Sequence, residues 1–216
     1  MDTRKKRRGR LWLLPVLAIT TAALIGVTIG KYIKTEQYNG TLHFYADLAE
    51  KFVLLEHKAE RQPDGSYALG SDTVTGNEYT LIPGLDIPKD PHVVITNKTS
   101  IAAYLFVEVI DNTPNSAIGY SMSSDWLLLE GIAGKKGNGA VYVYAQGGTA
   151  PTPLNRTEGD ITIYLLDGNR ITVSQNLLAS ATNDTLKFYA AMGEVNAATG
   201  GTAIENAKNI YKDHIE

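Results

Sequence analysis

Apolar and polar residues alternate with period two in short runs rich in Val, Ile, Tyr and Phe, at residues 41–46, 50–55, 92–96, 102–109, 140–144, 160–165, 170–173 and 185–190. Successive side chains of a strand point to opposite faces, so each run predicts a strand with one face buried. Turn chemistry lies between them. Pro63-Asp64-Gly65, Asn112-Thr113-Pro114, Gly137-Asn138-Gly139, Gly147-Gly148 and Asp167-Gly168-Asn169 supply the positive or fixed φ that a reversing chain needs. Residues 161–173 read as a tight hairpin with Asp167-Gly168 at its tip. Helical spacing is confined to residues 174–181, one or two turns, and 202–211, where Ala203, Ile204, Ala207 and Ile210 share a face after the breaker Gly200-Gly201. Many short strands without long amphipathic helices predict an all-β fold. The expected architecture is a two-sheet antiparallel β-sandwich, jelly-roll-like, with an N-terminal signal helix and a short C-terminal helix. Trp126, Tyr142 and Tyr144 are expected in its core.

The N-terminal pattern is of another kind. Arg4, Lys5, Lys6, Arg7, Arg8 and Arg10 stand against a single Asp2, and residues 11–30 then carry no charge. A basic cluster followed by an apolar stretch predicts an export signal, with the cluster held on the cytoplasmic side. Small residues at Thr28 and Gly30 suit a signal-peptidase site, so cleavage is expected between Gly30 and Lys31. An uncut segment would instead be a membrane anchor, since its length just reaches the roughly 20 residues of a spanning helix. The organisation read from this is a signal or anchor at 1–30 and one domain at 31–216, secreted or held at the cell surface.

Charge then narrows the partners. The chain has 20 basic and 23 acidic residues. Setting aside residues 1–30, with six basic and one acidic, leaves 14 against 22, a net charge of −8. The exported part is acidic and has no basic stripe for phosphates, which argues against nucleic acid as a partner. No cysteine is present, so neither a disulfide nor a thiol nucleophile is available.

The most distinctive segment is Ile82-Pro83-Gly84-Leu85-Asp86-Ile87-Pro88-Lys89-Asp90-Pro91-His92. Its prolines hold the chain extended and remove backbone donors, which predicts an edge or crossover leading into the strand at 92–96. The pattern Pro83, Gly84, Asp86, Pro88, Lys89, Asp90, Pro91, followed by a strand, a polar turn and an apolar strand, resembles the TasA/camelysin-type family of Gram-positive bacteria. Trp126, the tyrosine-rich strand 140–144, the turn Thr152-Pro153-Leu154 and the late strand with Ala190-Ala191 follow that family's order. Residues 40–77 match nothing in it, and Met192-Gly193 departs from its late strand. The resemblance implies a signal handled by a SipW-type signal peptidase, and a surface or matrix subunit that associates with its own or related subunits by strand addition. Residues 31–39 would then be the donor strand. Because some members are named metalloendopeptidases, it also implies an alternative surface metalloprotease. A ligand- or carbohydrate-binding sandwich rests only on the fold and on exposed tyrosines.

Site chemistry is thin in the sequence. The histidines are His43, His57, His92 and His214, with no H-E-x-x-H, the spacing that turns two imidazoles toward one ion from a helix. Glu56-His57 with Glu60 comes nearest and reads as a solvated face. Gly119-Tyr120-Ser121-Met122 lacks the second glycine of a nucleophile elbow. The glycine-rich stretch 131–139, with Lys135 and Lys136, is not a phosphate-binding loop and reads as a mobile surface loop. Asp86 and Asp90 lack the usual calcium loop around them. The expectation is a non-catalytic protein with no catalytic, cofactor or metal residue.

Overall fold

The computed structural model describes residues 52–95, 102–113, 117–154, 160–176, 185–195 and 201–215. Among them the chain is mostly β, every strand pair is antiparallel, and one short helix follows the strands. The first sheet runs β2 (Tyr67–Val74), β1 (Phe52–Arg61), β4 (His92–Ile95), β9 (Ile161–Tyr164). A second is β3 (Asp86–Pro88), β10 (Arg170–Val173), β6 (Ile118–Gly119). The third is β11 (Leu186–Glu194), β5 (Ala103–Asp111), β8 (Ala140–Tyr144), β7 (Trp126–Ala133).

One apolar cluster joins all three sheets. Val93, Ile95 and Ile163 come from the first sheet, Ile87, Ile118, Ile171 and Val173 from the second, and Leu105, Val107, Val109, Phe188 and Met192 from the third. Trp126 meets Tyr144 edge to face at 5.9 Å; both are buried, while Tyr142 is only partly so. The other face of the third sheet is covered by α1 (Ala203–His214), whose Ala207, Ile210 and Tyr211 pack with Phe106, Leu129, Val141 and Val143. This explains why β5 is buried at every position from Ala103 to Ile110: its inward side chains face one cluster and its outward ones the other. The helix starts at a capping box, with Thr202 Oγ1 accepting from Glu205 N and the Glu205 carboxylate accepting from Thr202 N.

The alternating runs locate most of these strands, but β2, β7 and the short β3 and β6 lie outside them. β2 is half-exposed and carries Gly70-Ser71-Asp72, and β7 begins as an apolar run without alternation. The hairpin expected at 161–173 does not form. β9 pairs with β4 whereas β10 pairs with β3 and β6, because buried Leu165 and Leu166 carry the chain from one sheet to another. The turn at Asp167–Asn169 is present, with Gly168 and Asn169 at positive φ (61° and 49°). Residues 174–176 are not helical; the remainder of that expected helix, the strand at 41–46, the Gly30/Lys31 junction and residues 31–39 lie outside the described residues.

Candidate functional site

β1 outruns its neighbour. Its pairing with β4 ends at Leu55 opposite His92, and past that point side chains take over the work of a partner strand. The N–H of His57 donates to Asp90 Oδ1 (2.9 Å), the N–H of Ala59 to Asn77 Oδ1 (2.8 Å), and Asn77 Nδ2 donates to the carbonyl of His57 (2.8 Å). Continued antiparallel register would set residue 57 opposite 90. The Pro88-Lys89-Asp90-Pro91 stretch supplies carboxylate and amine there instead of a regular ladder.

Strand alternation sends Glu56 and His57 to opposite faces, and two separate polar pairs result. Inward, Lys89 Nζ donates to Glu56 Oε2 at 2.7 Å, with both side chains less than 10% exposed. Glu56 Oε1 also accepts from the N–H of Asn77 (2.6 Å). The ammonium lies 5.4 Å from the Tyr79 ring centre and 6.0 Å from that of Phe188, so its remaining surroundings are aromatic faces. The Tyr79 hydroxyl donates to Pro88 O (3.2 Å); burial, then the charges of Glu56 and Asp90, hold its phenol well above the usual range.

Toward the other face, His57 Nδ1 lies 2.5 Å from Asp90 Oδ2, and His92 Nδ1 lies 2.7 Å from the Asp90 carbonyl oxygen. Asp90 and His92 are buried and His57 is partly exposed. The two imidazole centres are 5.2 Å apart, and the Tyr164 ring stands 5.2 Å from His92 on its cross-strand side. One donor atom from each of His57, Asp90 and His92 falls within 4.8 Å of the others, the geometry of a candidate cation site.

The distinctive segment therefore divides in two. Pro83 and Gly84 form an exposed turn closed by Leu85 N to Ile82 O (3.0 Å), with Gly84 at φ 77°, the type II arrangement that wants proline then glycine. Asp86 stays at the surface with Thr172 Oγ1 (2.9 Å) and Arg170 (3.5 Å), apart from Asp90 and its partner His57. Pro88, Lys89, Asp90 and Pro91 belong to the site, Pro91 through its carbonyl, which accepts from Leu165 N (2.9 Å). Glu60 does not join His57. β1 is a strand rather than a helix, and Glu60 sits exposed beside Lys58 at 3.7 Å.

A buried charge elsewhere, Glu108 in the middle of β5, received no reading from the sequence, although an acid inside AYLFVEVID is itself a signal that a partner must exist. The glycine-rich loop provides it. Amides of Lys136 (3.0 Å), Gly137 (3.0 Å) and Gly139 (3.2 Å) donate to the carboxylate, and the Tyr211 hydroxyl adds a fourth bond at 3.1 Å. A Cβ at Gly134 would collide with the Glu108 carboxyl group. The loop is thus tied down by the chain's own carboxylate.

No described helix is long and apolar enough to cross a membrane. Compared with protein-family profiles, with curated proteins and with solved structures, the chain matches none.

Proposed function

We propose that the mature chain is an exported, non-catalytic subunit of a cell surface or extracellular matrix, a two-layer β-sandwich that polymerises by strand addition. The observation that carries this reading is β2. Among the described residues β1 is the only strand it pairs with, and its sequence YALGSDTV contains neither lysine nor proline, the residues that most often blunt an open edge. Such an edge gains backbone hydrogen bonds from an added strand. Residues 31–39, freed by cleavage between Gly30 and Lys31, are the proposed donor. The segment from Pro83 to Pro91 resembles that of TasA/camelysin-type proteins and supports the same reading. Electron microscopy and sedimentation of the processed protein test it. Fibres are expected, lost on deletion of residues 31–39 and on placing lysines at Ala68 and Asp72, with a folded monomer left in both cases. Fibres that persist in both variants would rule the mechanism out.

A second reading, a surface metalloendopeptidase, has the grouping of His57, Asp90 and His92 in its favour. A metallohydrolase also needs a general base beside the metal's open position, and Glu56, the carboxylate next to His57 in sequence, turns to the opposite face and is occupied by Lys89 and Asn77. Casein cleavage abolished by a chelator and by His92→Ala would establish that reading in place of the first.

A further inference from the structure

We propose that His57 and His92 bind one divalent transition-metal ion, Zn²⁺ or a close relative, through their Nε2 nitrogens, with Asp90 as the residue that positions both rings. The proposal does not depend on strand addition.

The tautomers carry the argument. A carbonyl oxygen only accepts, so the 2.7 Å contact between His92 Nδ1 and the Asp90 carbonyl places the proton on Nδ1. An ionised carboxylate also only accepts, so the 2.5 Å contact with Asp90 Oδ2 places a proton on His57 Nδ1 as well. When the rings are neutral, each therefore keeps its lone pair on Nε2. One residue, Asp90, thereby fixes two imidazoles in the metal-binding tautomer, one through its side chain and one through its backbone. That is the supporting arrangement that metal-binding histidines use, with the far ring nitrogen donating to a carboxylate or carbonyl.

Charge and donor softness agree. With neutral imidazoles the group carries the single negative charge of Asp90, while Glu56 and Lys89 neutralise each other on the opposite face. Two imidazole nitrogens favour zinc, copper or nickel over calcium or magnesium, which take oxygen ligands. The two ring centres stand 5.2 Å apart, and bonds of about 2.0–2.1 Å put neighbouring tetrahedral ligands roughly 3.3 Å apart, so the rings must turn their Nε2 atoms toward a common point. His57 has the freedom to do so. It is partly exposed, and the β1–β2 register shifts between His57 and Ala59. Water fills the positions the protein does not.

The test is zinc titration of the purified full-length chain with ¹⁵N-labelled histidine, read by long-range ¹H–¹⁵N correlation. Before zinc both rings should show the Nδ1–H tautomer. Zinc should then shift both Nε2 resonances and saturate at one equivalent, leaving Nδ1 protonated. Asp90→Asn should weaken binding about 10–100-fold without changing the stoichiometry. His57→Ala, at the exposed side and so least damaging to the fold, should abolish saturable binding, whereas the double variant His43→Ala/His214→Ala should retain it. The proposal is overturned if zinc does not saturate the wild-type chain, if the Nδ1 atoms take the metal, or if a folded His57→Ala variant binds as before.

Discussion

Two places in this molecule bury charge, and they do so by opposite means. Around Glu108, one carboxylate is surrounded by donors of its own chain: three loop amides and the Tyr211 hydroxyl. Around Lys89 and Asp90, charge is met by charge and by imidazole, with Glu56 on one side and His57 and His92 on the other. Backbone amides cannot leave, so the first arrangement is closed to any ligand. Imidazoles use one nitrogen and keep a second, so the other arrangement retains binding capacity. Burial of charge alone does not mark a site; what remains unused on its partners does.

The largest expected effect lies at the ion pair. Lys89→Ala leaves Glu56 buried and uncompensated, which should cost about 3–5 kcal/mol in urea unfolding. The apolar double variant Glu56→Leu/Lys89→Met should recover most of that loss, because the pair's own attraction roughly offsets its desolvation. A double variant as unstable as the single one would mean that the pair contributes something beyond charge balance. Next, Glu108→Ala should cost about 2–3 kcal/mol by stranding buried amides whose partner was charged, while leaving zinc binding at His57 and His92 unchanged. A changed zinc titration would erase the distinction between the two regions.

The smallest effect sharpens the comparison through pH. Tyr211→Phe deletes the hydroxyl that joins α1 to Glu108 and should cost about 1 kcal/mol near neutrality. Burial, then the negative charge of Glu108, raises the Tyr211 phenol above its ordinary value. A raised folded value means that the neutral form's contribution is complete below the unfolded phenol's value of about 10 and declines as pH rises beyond it. The gap between wild type and Tyr211→Phe should therefore shrink above about pH 10 in equilibrium unfolding. A constant gap would remove Tyr211 ionisation from the account.

Much of the fold was legible because period two is imposed by strand geometry. Residues 140–144 and 170–173 were bounded as observed, and the helix after Gly200-Gly201 was visible from its apolar face. β2 escaped because an edge strand facing solvent needs no alternation, and the hairpin was misread because a turn sequence specifies a reversal but not which sheet the chain enters next. At the site, Glu56-His57 and Lys89-Asp90 each stood out singly. Their meeting is a matter of register, Leu55 opposite His92, across 33 positions of chain, and short-range pattern carries no such information. Asn77 and Glu108 were missed for the same reason: their partners are backbone groups brought near by folding.

The placement of Tyr211 has a consequence for the order in which the molecule can be completed. α1 follows all eleven described strands, so in a chain emerging from its N-terminus the residues of β5, β7 and β8 are all present before the helix arrives. Until then Phe106, Leu129, Val141 and Val143 have no cover, and one of the four donors to Glu108 is missing. The last helical turns thus act as a latch: they close an apolar face and complete a buried carboxylate's hydrogen bonds in one event. A chain stalled before residue 211 would present a sticky sheet with one donor to its carboxylate missing, a state that invites association with other chains or capture by a chaperone.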